Sequence, residues 1–309
     1  MRLIRGLEQL QAFKGGCVLT IGNFDGVHLG HRRVIEKLAG YGKPAGLPVV
    51  VMVFEPQPLE YFLRDNAPPR LTRLQEKVRH FNKLPVDYLL IVRFDQQFAD
   101  SDPERFIKDK LVDLLHVKHL VVGDDFHFGK ARRGNFAMLK EKGKLYGFTV
   151  ADTASYQQQG LRVSSTLIRD ALGAGDLVKA EQMLGRPYSV CGQIIHGEKR
   201  GRSLGFPTAN IQLQRHVAPI DGVFAVTMTG VENRVLNGVA NVGIRPTFEG
   251  GTTVLLEVHL FNFNQEIYGC EVEVHFRKKI RNEMRFSSLQ ELQGQIHDDA
   301  VKAQRILAG

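Results

Sequence analysis

Two short stretches carry the residue types that do chemistry. GNFDGVHLGH, Gly22 to His31, packs Gly22, Gly26 and Gly30 together with His28 and His31. The two histidines stand three apart, a spacing that brings both imidazoles to one side of a helical turn. A helix N-terminus attracts phosphate through its free N–H groups and its dipole. Two imidazoles placed there can donate hydrogen bonds to a triphosphate and to the pyrophosphate that leaves it. The glycines permit a tight turn and close backbone approach. The lysine and Ser/Thr of a P-loop are absent, so this is not that motif. GRSLGFPTAN, Gly201 to Asn210, sits among Lys199, Arg200 and Arg202 and suits neither helix nor strand.

The elements that must position these residues differ between the two halves. In the first, apolar runs CVLTI (17–21), VVVMVF (49–54), YLLIV (88–92) and HLVVG (119–123) alternate with helical stretches HRRVIEKLAG, LTRLQEKVRHFNKL and PERFIKDKLVDLL. The last of these has Asp102 as N-cap and Pro103 at its first position. Strands apolar throughout and separated by helices predict a parallel sheet covered on both faces. Ligands of such folds bind beyond the carboxyl ends of the strands. From about Arg186 the alternation stops. FAVTMTG, LNGVANVG, TVLLEVHLF and EVEVHF read as short antiparallel strands with glycine turns, a barrel pattern. In EVEVHF, Val272, Val274 and Phe276 share one face. A final helix shows Leu289, Leu292, Ile296, Ala300, Ala303 and Leu307 at the spacing of one buried stripe.

The bulk numbers fit two abutting domains, expected over residues 1–186 and 187–309 of the 309-residue chain. No apolar run is long enough to span a bilayer. The N-terminus lacks the features of a signal peptide. Cys17, Cys191 and Cys270 form neither a disulfide framework nor a zinc pattern, which suits the cytoplasm. The net charge of +8 fits a nucleic-acid binder, a protein that handles polyanionic small substrates such as ATP, or a merely basic surface.

HLGH after a first strand resembles the HxGH signature of the nucleotidylyltransferases. The longer GNFDGVHLGH resembles the N-terminal module of the prokaryotic bifunctional riboflavin kinase/FMN adenylyltransferase (FAD synthetase) family. FEPQP (with Phe54, Pro56 and Pro58), RLT at 70–72, GDDFHFG at 123–129 and SSTLIR at 164–169 follow in that family's order. The resemblance implies a Rossmann-like α/β module that adenylylates FMN, with His28, His31 and Arg169 stabilising charge. It implies ATP contacts from Gly22, Phe24, Gly30, Ser164, Ser165 and Thr166. It sets Phe54, Pro56, Pro58, Asp125 and Phe128 near the flavin. Read locally, the Ser164–Thr166 hydroxyls can equally cap the helix of LIRDAL, and Phe126 and Phe128 can equally pack in the core.

GRSLGFPTAN resembles the glycine loop and PTAN motif of the riboflavin kinase fold. Its companions are DGVF (221–224), NVGIRPTF (241–248), LEVHLF (255–260) and FRKKIRNEMRF (276–286). The resemblance implies ATP contacts at Gly201, Gly205, Thr208 and Asn210, with Thr208 and Asn210 as oxygen ligands of Mg2+ beside substrate phosphates. It makes Glu257 the base for the terminal ribityl hydroxyl and brings part of the 277–285 cluster, Arg281 included, to the flavin as a lid. Asn262 stands where relatives are expected to have aspartate. The resemblance spans roughly residues 15–305. It implies ATP-dependent phosphorylation of riboflavin to FMN, then adenylylation of FMN to FAD, with small-molecule substrates and neither nucleic-acid nor membrane partners. Two alternatives are a single-activity HxGH nucleotidylyltransferase on another substrate and a basic nucleic-acid-binding protein.

Overall fold

The computed structural model describes residues 1–7, 13–123, 125–153, 156–158, 160–197, 205–213, 215, 217–232, 234–246 and 252–308. The chain divides into two compact units, Met1–Pro68 with Thr72–Ser164, and Pro69–Leu71 with Ser165–Gly309.

The first unit is an α/β layer structure. Its described elements run β1 (Arg2–Arg5), β2 (Cys17–Ile21), α1 (Leu29–Ala45), β3 (Val49–Glu55), α2 (Pro58–Leu63), α3 (Leu74–Phe81), β4 (Tyr88–Arg93) and α4 (Gln96–Ala99). Then come α5 (Pro103–Arg105), β5 (Val117–Gly123), α6 (Phe136–Tyr146), β6 (Thr149–Thr153) and a small ladder of β7 (Gln157–Gln158) and β8 (Leu161–Arg162). Six strands form a wholly parallel sheet in the order β1-β4-β3-β2-β5-β6. The four apolar runs are its central strands, and β2 is buried at all five positions. Alternate residues feed opposite cores. Leu19, Met52, Leu90 and Leu120 face one side; Val51, Val53, Leu89 and Ile91 face the other.

Two edge strands, β1 and β6, lie outside the sequence expectation. Both are short and only partly buried, so neither has a continuous apolar run. Asp102 caps α5 as expected, Oδ1 accepting from the amides of Glu104 and Arg105. The helix then widens to π winding over Phe106–Leu114.

The second unit holds α7 (Ser165–Gly173), α8 (Leu177–Leu184), β9 (Ser189–Ile195), β10 (Ala209–Gln212), β11 (Gly222–Val231), β12 (Arg234–Pro246), β13 (Thr252–Leu260), β14 (Glu271–Arg281) and α9 (Leu289–Ala308). The six strands close into an antiparallel barrel, β10-β13-β12-β11-β14-β9. Phe224, Val226, Met228, Val274 and Phe276 are buried. Val223, Ala225 and Val239 form a second cluster with Ala300 and Ala303 of α9. The expected stripe on α9 is shorter than its spacing suggested: Leu289 is 69% exposed. Leu292 and Ile296 instead line a cavity beside the barrel.

Candidate active sites

In the first unit the strand order reverses beside β2, whose neighbours are β3 and β5. The crevice at the carboxyl end of β2 is therefore where a ligand of this fold binds. The Gly22–His31 loop begins there. Phe24, Gly26 and Val27 all have positive φ, 48°, 85° and 41°, a left-handed course that strains the two non-glycine residues. The loop delivers His28 to the N-cap of α1, where its Nδ1 accepts from the amide of His31 at 3.3 Å. An accepting Nδ1 leaves the proton of the neutral ring on Nε2. The two imidazoles stack with centroids 3.5 Å apart and planes 15° from parallel, so the expected common side is observed. A Cβ at Gly30 would stand 3.2 Å from the His28 ring, so glycine keeps that ring where it lies. Phe24 is 4% exposed and packs against the rings of His31 and Phe81, beneath the histidines. Gly22 starts the turn, its amide donating to the Met52 carbonyl.

A buried polar cluster fixes this loop from behind, and its roles were not legible in the sequence. Asp25, Thr72 and Lys77 are 2%, 3% and 1% exposed. The Thr72 amide and hydroxyl both donate to Asp25 Oδ1, at 3.0 and 3.2 Å. The Gly26 amide donates to Thr72 Oγ1 at 2.9 Å, and Lys77 Nζ donates to the Asn23 carbonyl at 2.8 Å. Thr72 lies in RLT, Asp25 in GNFDGVHLGH and Lys77 in a helical stretch, but nothing in the sequence gives any of the three a role.

Two of the expected flavin residues, Phe54 and Phe128, fall along an aromatic ladder. Phe54, 8% exposed, meets Phe98; Phe98 meets Phe106; Phe106 meets Phe128; centroids are 5.2, 5.8 and 5.4 Å apart. Phe54 and Phe128 thus belong to one core cluster, as the packing alternative for Phe128 anticipated. Pro56 follows β3, Pro58 opens α2, and Asp125 is exposed just past β5. From Phe98, Phe94, Tyr61 and Phe62 extend the ladder, with Phe62 61% exposed. Their irregular spacing gave no sequence signal.

Ser164 is the last residue of the first unit. Ser165 opens α7 in the second, followed by the exposed Thr166. Arg169 is half-buried there, its Nε donating to the Pro69 carbonyl at 2.7 Å.

In the barrel, Glu257 on β13 is paired in register with Asn210 on β10 and with Asn241 on β12. Asn210 is 8% exposed, and a Cβ at Gly197 would overlap its amide. Two cavities meet at Thr208. One of about 320 Å³ is lined by Glu257, His259, Asn241, Arg281 and Met284. The other, about 100 Å³, is lined by Asn210, Phe263, Glu266 and Tyr268. Thr208 belongs to the walls of both. Arg281 lines the larger cavity but is also engaged within the protein: its guanidinium grips Asp299 of α9 at 2.8 and 2.9 Å. Gln295 donates to the other oxygen of Asp299. Gly205 has a φ of 85°. Gly201, Lys199, Arg200 and Arg202 lie outside the described residues. His259, Asn241 and Met284 were missed as individual site residues, although LEVHLF, NVGIRPTF and the 276–286 cluster contain them. Among the described residues no group of three His, Cys, Asp or Glu side chains is placed to hold a metal ion.

The family model for FAD synthetase matches residues 10–167, and that for riboflavin kinase matches residues 184–307. The bifunctional riboflavin kinase/FMN adenylyltransferase of Escherichia coli strain K12 is 51% identical over 98% of this chain and 97% of its own. That of Haemophilus influenzae is 50% identical over 98% of both. A solved structure described as a macrolide-efflux protein from Streptococcus pneumoniae shares the fold, with a TM-score of 0.82 and 29% identity over 97% of each chain. No described helix of this chain is long and apolar enough to cross a membrane. Matched along both units and nearly from end to end, the chain belongs to the bifunctional riboflavin kinase/FMN adenylyltransferase family.

Proposed function

We propose that this chain makes FMN and FAD, phosphorylating riboflavin in its barrel and adenylylating FMN on its α/β sheet. The observation that carries the kinase half is the meeting of two cavities at Thr208, with Glu257 in the larger. That arrangement suits a flavin in one chamber and MgATP in the other. Glu257 takes the proton of the terminal ribityl hydroxyl. The oxygen forms its bond to the γ-phosphorus as the bond to the β-phosphate oxygen breaks and ADP leaves, a reaction governed by alignment and charge more than by base strength. Thr208 and Asn210 supply neutral oxygens. These fit Mg2+, which takes oxygen ligands and keeps several waters and phosphate oxygens. When bound, that ion neutralises charge on the phosphates. Gly201 and Gly205 serve the ATP loop, and Arg281 borders the flavin.

On the sheet, His28 and His31 at the N-terminus of α1 stabilise charge as an FMN phosphate oxygen attacks the α-phosphorus and pyrophosphate leaves. Gly22, Phe24 and Gly30 shape that cradle. Ser164, Ser165, Thr166 and Arg169 are assigned to ATP phosphates, where the arginine fork suits phosphate oxygens. Phe54, Pro56, Pro58, Asp125 and Phe128 are assigned to the flavin. Residues 1–186 carry adenylyl transfer and 187–309 the kinase. The +8 charge then serves polyanionic small substrates, with no nucleic-acid or membrane partner invoked. Three free cysteines suit the reducing cytoplasm.

The test is incubation with riboflavin and MgATP followed by separation of the flavins. Wild-type protein yields FMN and FAD. Glu257→Gln yields neither from riboflavin but still converts supplied FMN, whereas His31→Ala makes FMN and stops there. Well-folded wild-type protein that produced neither flavin would refute the proposal.

A further inference from the structure

We propose that His259 is a positioning residue of the kinase site, mooring the Pro207 carbonyl through Nδ1–H and so holding Thr208 against the strand that carries Glu257. The inference rests on the reading of the barrel cavities as a kinase site. It concerns a side chain to which that reading gives no part.

The ladder between β10 and β13 runs from Gln212 opposite Leu255 to Ala209 opposite Val258, and there it ends. The next rung would set Thr208 opposite His259. The residue before Thr208 is Pro207, which has no N–H to offer a ladder. The imidazole of His259 takes over at this point: its Nδ1 lies 2.9 Å from the Pro207 carbonyl oxygen. A carbonyl oxygen only accepts, so Nδ1 carries the proton and donates. A side chain thus continues the attachment one step past the last backbone rung.

The ring is also held from its sides. It meets Phe206 edge-on at 5.4 Å and Phe261 edge-on at 5.9 Å between centroids. Two residues apart on one strand, His259 and Glu257 share a face, and both line the cavity that Thr208 borders. The Pro207 carbonyl belongs to the peptide unit that leads directly into Thr208. A donor fixed on the Glu257 strand therefore sets how far Thr208 stands from the carboxylate. Chemistry that depends on in-line placement of a hydroxyl against a phosphorus is sensitive to such a distance.

The test compares His259→Ala, His259→Asn and His259→Gln in the full chain. Steady-state FMN formation is measured against riboflavin and against MgATP. FAD formation from supplied FMN and thermal unfolding are followed on the same preparations. Alanine lowers kcat for FMN formation by about tenfold, the scale of one lost hydrogen bond, and raises KM for MgATP more than KM for riboflavin. Asparagine, whose amide nitrogen stands where Nδ1 stands, restores most of the rate. Glutamine, whose amide reaches the place of Nε2, does not. FAD formation stays unchanged in all three. An alanine variant at the wild-type rate, or glutamine restoring as fully as asparagine, would overturn the proposal. So would a parallel fall in FAD formation, the mark of general damage. Wild-type protein that made no FMN would instead remove the kinase reading beneath it.

Discussion

Lys77 and Cys17 are both buried in the first unit, and their chemistry sends them in opposite directions. Lys77 is 1% exposed yet keeps a polar task, donating to the Asn23 carbonyl at the root of the histidine loop. Lys77→Met removes that donor and should cost about 1–3 kcal/mol, the penalty for stranding a poorly solvated acceptor. Because the loop carries His28 and His31, adenylyl transfer should fall by on the order of 10²-fold, the effect of a small misplacement at a reacting centre. Kinase activity should hold, and urea unfolding with paired assays checks both. Cys17 is fully buried in β2, and burial pushes its thiol from the ordinary 9.0 up to about 12. The folded state therefore keeps its proton where the unfolded state loses it, so stability falls as pH rises above 9.0 toward about 12. By pH 10 the loss amounts to about 1.4 kcal/mol. Cys17→Ala should abolish that part of the slope in denaturant titrations run between pH 8 and 10. The histidine pair was legible because glycines and imidazoles cluster within one loop. Lys77 and Asp25 were not: a buried charge looks like any surface charge until the fold encloses it.

At the scale of elements, α9 shows what spacing reveals and what it leaves out. Ala300 and Ala303 lie against Val223, Ala225 and Val239 of the barrel, as periodicity predicted. The polar half of the attachment lies off that stripe. Asp299, with a side chain 3% exposed, binds Arg281 of β14 at 2.8 Å. The resemblance had Arg281 meeting a ligand, and no pattern in one sequence pairs it with a carboxylate 18 residues away. Asp299→Ala leaves that guanidinium short of its buried partner. It should destabilise the protein by about 3 kcal/mol, the low end for breaking a buried pair, since Arg281 keeps 17% exposure. Leu292, Ile296 and Asp299 border the larger cavity, so KM for riboflavin should rise as well. Calorimetric melting and kinase kinetics measure the two effects. The central strands of the sheet were readable because each is apolar on both faces. The edge strands β1 and β6 were not, because an edge position demands no such run.

For the whole molecule, the sequence pattern places the change of architecture near Arg186, where strand–helix alternation ceases. In the structure α7 and α8 group with the barrel, and α8 packs on β14. Leu177, Ala180, Met183 and Leu184 are buried. A fragment that starts at Ser165 should therefore outlast one that starts at residue 187 by about 3 kcal/mol or more, on the scale of burying two large apolar side chains. Chemical denaturation of the two fragments decides this. Equal midpoints would mean that α8 adds nothing to the barrel.

The closure of the six-stranded barrel bears on how these chains behave when crowded. A ring of strands has no open margin at which a stray segment can add another strand. The parallel sheet does have margins, β1 and β6. One of them, RLIR, bears an arginine at each end, a charge pattern that discourages edge-to-edge stacking. The other, Thr149–Thr153, carries Asp152, whose carbonyl also accepts from Lys37, so aggregation that begins from folded protein would start at one of these two charge-guarded margins before it touched the barrel.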